Sequence, residues 1–337
     1  MRLRLPLLVS ACLLGAPAVL LAQDGDRDRR SAIQIADSAG IAGLARSLVE
    51  GAASDSARAS VLYDWVARNV RYDAASFFRG RDGYDQAEEV YRHRIALCGG
   101  YVARYQRLAR EVGLETVRIT GYAKGVDYEV GQSTRKPNHA WLAMHIGGEW
   151  RLIDPTWGAG VLSGRTFEPR FTRDYFLVSP DELILSHFPE EPQWQLVDAP
   201  LTRRQFERMR IVPRNLLGAG FSVESIRAAA LTPGVTDFPL TGVMAQGVRV
   251  IHAPVSGSLP ARSNVVIEVE WPGAHEVALV TNGQWTVLGR SGDRFRGQAA
   301  AAGSTFQVVG RTGDDEASYQ TLLHYRVVES RARASSR

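Results

Sequence analysis

Residues 54–70, "SDSARASVLYDWVARNV", place Val61, Leu62, Trp65, Val66 and Val70 three to four positions apart, the spacing of one buried helix face, with Ser54 or Asp55 available as a cap. Upstream, "IQIADSAGIAGLARSLVEG" repeats apolar residues at Ile33, Ile41, Leu44 and Leu48, which predicts a short helical segment within 23–50 ending near Gly51. "DGYDQAEEVYRHRI" predicts another helix, with Asp85 and Glu88 spaced as a capping box. After Cys98, Tyr101, Val102, Tyr105, Leu108, Ala109 and Val112 mark a further helix that Gly113 is placed to end.

The period then shortens. "LETVRITGYAKG" alternates as a strand does, and "HAWLAMHI" and "EWRLI" are two strand-like runs joined by Gly147 and Gly148, a hairpin. The aromatic and proline-rich residues up to about 200 predict chain without regular elements. Residues 208–243 read as a connecting region, after a short helix around Phe206. From 244 to 330, short alternating runs such as "SNVVIEVEWP" and "STFQVVGRT" predict an immunoglobulin-like β-sandwich, and 331–337 form a loose basic tail. The fold class expected is therefore α+β, with a mixed domain over 51–207 and an all-β domain behind it.

Composition narrows the setting. The chain has 337 residues, 45% of them hydrophobic and 23% charged, enough for full cores and ordinary for globular domains. "MRLR" followed by an apolar run to Ala22 reads as a signal peptide over 1–22, so the protein is expected to be exported, to the periplasm or beyond. An uncleaved membrane anchor is the alternative reading of the same run; no other stretch is apolar enough to span a bilayer. Cleavage would remove Arg2 and Arg4 and lower the formal charge from +4 to +2. That residual charge is scattered, so no nucleic-acid partner is expected. Cleavage would also remove Cys12 and leave Cys98 alone in an oxidising compartment, an arrangement that calls for a reason.

Chemistry supplies one. At a helix start, a thiol meets the positive end of the helix dipole, which favours the nucleophilic thiolate. Gly99 and Gly100 carry no side chain, so their backbone is open to a substrate carbonyl and its oxyanion. A thiol also needs a base and the base an orienting group. If Gly147–Gly148 is a two-residue turn, Ile146 opposes Glu149, Trp141 opposes Asp154 and His139 opposes Thr156. His139 and Asp154 are then diagonal neighbours on one face, the pairing of a Cys–His–Asp triad. His145 reads as structural or solvated, and Asp127 and Glu129 as a solvated loop or as residues that shape substrate access, while Trp141, Trp150 and Trp157 are core residues or the wall of a substrate pocket. Cys98, His139 and His145 lack the compact spacing of a zinc site, and neither metal nor cofactor is expected.

Three ordered motifs, "ALCGGYVARYQRLAREVGL", "NHAWLAM" and "EWRLIDPTWGAG", together resemble the transglutaminase-like superfamily, and "YFLVSPDELILSHFPEEPQWQLVDAP" is similar to its kyphoscoliosis peptidase-like branch. The resemblance covers about residues 55–207. It implies a papain-like core of helices on an antiparallel sheet and thiol chemistry on amides, with the triad falling on Cys98, His139 and Asp154. It also implies a protein or peptide substrate, and a second oxyanion donor upstream of the cysteine, for which Tyr72 is the candidate. The expected function is that of a peptidase, amidase or cross-linking acyltransferase. The rival is a non-catalytic peptide- or protein-binding module that keeps the triad as structure, with the sandwich as its docking domain.

Overall fold

The structure, a computed structural model, describes residues 40–313 and 319–329 apart from 127, 132, 134, 236 and 243–246. The expected signal peptide, Ile33, Asp127, the sandwich boundary at 244 and the basic tail lie outside the described residues. The chain forms two compact units that alternate in sequence: one runs to Arg118 and resumes over Trp141–Phe176, the other takes Ile119–Ala140 and the chain from Leu177 onward.

The first unit holds helices α1 (Gly40–Leu48), α2 (Asp55–Asn69), α3 (Ala74–Arg79), α4 (Ala87–His93), α5 (Cys98–Glu111) and α6 (Pro155–Ala159). Its strands are β1 (Arg71–Tyr72), β2 (Ile95–Ala96), β5 (Glu149–Ile153), β6 (Gly160–Ser163), β7 (Thr166–Pro169) and parts of β3 (Thr116–Ala123) and β4 (His139–Ile146). The apolar stripes expected on α2 and α5 are their buried faces: Leu62, Val66, Tyr101, Tyr105 and Leu108 are fully enclosed. Each enclosed hydroxyl of α5 donates to a carbonyl at hydrogen-bond distance, Tyr101 to Val70 at 2.5 Å and Tyr105 to Ala59 at 2.9 Å. Ser54 caps α2 by accepting from the Ala57 N–H at 3.1 Å. The capping box expected of Asp85 and Glu88 does not form. Helix α4 starts one residue later, so Gln86 is its cap and Glu88 falls at the second helical position, while Asp85 accepts from the Gln86 side chain.

The hairpin has the register its glycines imply, from Ile146 opposite Glu149 to Leu142 opposite Ile153. Gly147 and Gly148 take φ of 62° and 85°, the left-handed pair a two-residue I′ turn requires.

The second unit adds α7 (Pro180–Leu183), β8 (His187–Pro189), α8 (Arg203–Arg208), α9 (Asn215–Gly218) and α10 (Val223–Leu231). The stretch expected to be irregular thus contains β8, which pairs with β3 through Ala123 opposite His187, and the connecting region contains two helices. Ten strands follow: β9 (Leu240–Thr241), β10 (Arg249–His252), β11 (Ser258–Pro260), β12 (Asn264–Glu270), β13 (Glu276–Thr281), β14 (Gln284–Val287), β15 (Gly289–Ser291), β16 (Arg294–Ala300), β17 (Thr305–Arg311) and β18 (Gln320–Val328). They form sheets of order β10–β12–β16–β15 and β11–β18–β17–β13–β14, with β9 on β18, an arrangement compatible with a β-sandwich. Val265, Ile267 and Val269 of β12 point inward in strict alternation. One hydrophobic core joins these strands to Phe188, Phe206, Leu216 and Ile226, so α8–α10 are part of its packing. Among the described residues, no helix is long and apolar enough to cross a membrane.

Candidate active site

Cys98 is the first residue of α5, where the extended backbone of Leu97 turns into the helix. The entry is set two residues earlier, because β2 pairs in parallel with β1, Tyr72 lying opposite Ala96 and the Asp73 N–H donating to the Ala96 carbonyl at 2.9 Å. The thiol is half-buried. Leu97 offers no side-chain cap and the first turn carries no acidic residue, so the positive end of a 14-residue helix is not neutralised by its own sequence. That is the field in which a thiolate is favoured.

The two glycines have different reasons to be there. The Gly100 N–H donates to the Leu97 carbonyl at 3.0 Å, and a Cβ at Gly100 would lie 2.2 Å from the Tyr84 carbonyl oxygen and 2.7 Å from the Ala96 Cβ. Close packing of α5, not access for a substrate, therefore requires Gly100, which corrects half of the expectation. Gly99 faces outward: its nearest neighbour on that side is the Arg118 guanidinium, with Nη2 3.3 Å from where a Cβ would sit. Arg118 was not foreseen. It is one exposed cation among many in the sequence, and only the placement of β3 sets it beside the first turn of α5.

Asp154 is the N-cap of α6 and fully buried. Its Oδ1 accepts from the N–H groups of Thr156 at 2.8 Å and Trp157 at 3.2 Å, which fixes the carboxylate in place. Helix α6 packs on α5 and α2. Burial pushes the phenols of Tyr63 and Tyr101 well up, and the Asp154 charge pushes both in the same direction; Tyr72 also acts on Tyr101. Tyr101 lies one turn beyond Cys98, so within this unit Asp154 and the Cys98 helix are brought together.

His139 belongs to the second unit, where it opens β4 and is 8% exposed. Asn138, just before it, is clamped. Its side chain accepts from the Ala123 N–H at 2.7 Å and donates to the Ala123 carbonyl at 3.0 Å, and its own N–H donates to the Gly121 carbonyl. The ring centroid of His187 is 5.2 Å from that of His139. Asn138 and His187 stand inside the quoted motifs, but nothing in their spacing marks them for a role.

The remaining candidates divide. Tyr72 is half-buried, its ring against Phe77 and Phe167 at 5.9 and 6.2 Å. Trp157 is half-buried and edge-on to Tyr175. Trp141 is 1% exposed and packs as a core residue. His145 sits against Trp150, its Nδ1 3.7 Å from Glu115, on the partly exposed end of β4. A cavity of about 420 Å³ lies beside Arg46, Arg58 and Glu111, at the end of α5 opposite Cys98.

Residues 42–155 match the family described as the transglutaminase-like superfamily, a span that contains Cys98, His139 and Asp154. The chain is 34% identical over 181 residues to the Kyphoscoliosis peptidase of Mus musculus, covering 52% of this chain and 27% of that protein. It is 30% identical over 207 residues to Hillarin of Drosophila melanogaster, covering 56% and 25%. The matches thus span about a quarter of the length of these relatives. A solved structure of a TGase aligns at 16% identity with a TM-score of 0.27, covering 48% of this chain and 40% of its own. Residues 42–155 are thus similar to the transglutaminase-like superfamily, and the kyphoscoliosis peptidases are among the relatives that the chain resembles.

Proposed function

We propose that the protein is an exported thiol enzyme that acts on peptide or carboxamide bonds through an acyl-enzyme on Cys98. The observation that carries the reading is the place of Cys98 at the first position of a long helix whose first turn holds no acidic residue, beside Gly99. The thiol proton passes to His139, and the sulfur attacks the carbonyl carbon. The oxyanion so formed is held by the first turn of α5, with Tyr72 as the second donor. The intermediate collapses with loss of the C–N bond, and His139 returns its proton to the leaving amine. Water or a second amine then takes the acyl group, giving hydrolysis or cross-linking. Asp154 orients His139 by the general logic of such triads. The name of the mouse relative, a peptidase, supports amide chemistry, and the likeness to the transglutaminase-like superfamily supports both acyl acceptors. The sandwich, read as immunoglobulin-like, would dock a protein partner.

Alkylation by iodoacetamide tests this at its first step. Cys98 is expected to react at least about tenfold faster than a free model thiol at pH 7, and no label is expected in Cys98→Ala prepared without residues 1–22 and so without Cys12. A rate equal to that of the model thiol overturns the enzyme reading and leaves the binding module.

A further inference from the structure

Two buried histidines in contact need a reason, since each gives up solvation. His139 is 8% exposed and His187 1%, with ring centroids 5.2 Å apart and planes tilted by 58°. Both belong to the second unit. The frame around them is specific. Ala123 of β3 is gripped on both of its backbone polar groups by Asn138, the residue before His139, and on its other side it is the cross-strand partner of His187. The Lys124 N–H adds a bond to the Ser186 carbonyl at 2.9 Å. One backbone position therefore anchors both imidazoles.

His187 is also held at Nδ1. Ser186 Oγ lies 3.4 Å from the Leu183 carbonyl and 2.8 Å from His187 Nδ1, a hydrogen bond whose donor follows from the tautomer of the ring. Ser186 thereby fixes the plane of the ring packed against His139.

We propose that His187 is a positioning residue for the acyl-transfer site, holding the His139 imidazole in its working orientation through a ring that Ser186 fixes at Nδ1. The proposal rests on the enzyme reading above for its consequence, but not for its geometry. The test compares the full-length protein with His187→Phe, which keeps an aromatic ring without polar atoms, and His187→Gln, which keeps polar atoms that can both donate and accept. In wild type, ¹⁵N spectra of the His139 ring are expected to show a single tautomer. In folded His187→Phe they should show two tautomers in exchange, with Cys98 alkylation about tenfold slower, and His187→Gln should recover most of both. A folded His187→Phe with the wild-type His139 spectrum overturns the proposal and makes His187 a packing residue. If His187→Phe does not fold, Ser186→Ala carries the test: an unchanged His139 spectrum there likewise overturns it. If wild-type Cys98 reacts only as a model thiol, the enzyme reading fails, while the tautomer comparison still decides the role of His187.

Discussion

Cys98 owes its setting to neighbours that differ in kind. Gly99 and Gly100 look alike in the sequence, yet one faces a flexible guanidinium and the other a backbone carbonyl and two side chains. The difference is measurable. Gly100→Ala would drive a methyl into the Tyr84 carbonyl and the Ala96 Cβ, neither of which can swing away, so a loss of about 2–4 kcal/mol in urea unfolding is expected. Gly99→Ala meets only the end of the Arg118 side chain and is expected to stay within about 1 kcal/mol of wild type while slowing alkylation of Cys98. Equal losses for the two would refute this division. The thiol at a helix start and its two glycines were legible because a helix start is a local pattern. Arg118 was not, since its place depends on how β3 is laid beside α5.

Elements defined by period and turn chemistry were also legible. The β4–β5 register followed from two glycines, and the face of α2 from five apolar positions. Helix α4 shows the limit: a capping box can be read from two residues, but a shift of one position in the helix start undoes it. Strand β8 is three residues long, too short to show a period, and exists because β3 offers it an edge. The same end of β3 leads into Lys124, whose Nζ donates to the Met209 carbonyl at 2.7 Å just beyond α8 and lies over the Phe206 ring at 4.5 Å. That ammonium is 6% exposed, and burial lowers it from 10.5 to about 7. Between those values the unfolded chain holds the proton and the folded chain does not, so Lys124 makes stability rise with pH across that window. Lys124→Met removes this slope. Urea unfolding at pH 7 and pH 9 is expected to show wild type gaining on Lys124→Met at the higher pH; parallel behaviour would show that Lys124 stays charged in the fold.

At the scale of the molecule, the expected linear order of domains meets a division in which each unit takes two stretches of chain. Helices α9 and α10, read as a connection, and α8 before them share one hydrophobic core with the strands behind them. A fragment ending at residue 242 would leave Phe206, Leu216 and Ile226 without that cover. It is expected to bind a hydrophobic dye and to lose near-ultraviolet dichroism that the full chain shows, since burial of large apolar side chains is what holds such helices. A fragment with the cooperative unfolding of the intact protein would restore the linear reading. What the amino-acid sequence determined by itself was whatever its neighbours within a few positions control: helix faces, the hairpin register, the thiol at a helix start, and three ordered motifs that resemble the superfamily. Tertiary structure alone decided that Gly100 is a packing residue, that Arg118 stands beside Gly99, and that Ala123 anchors two histidines from distant segments. The physical reason is the same in each case. Periodicity is written in local spacing, whereas the placement of one strand or helix against another is settled by the joint packing of many residues, no one of which carries the outcome in its own neighbourhood.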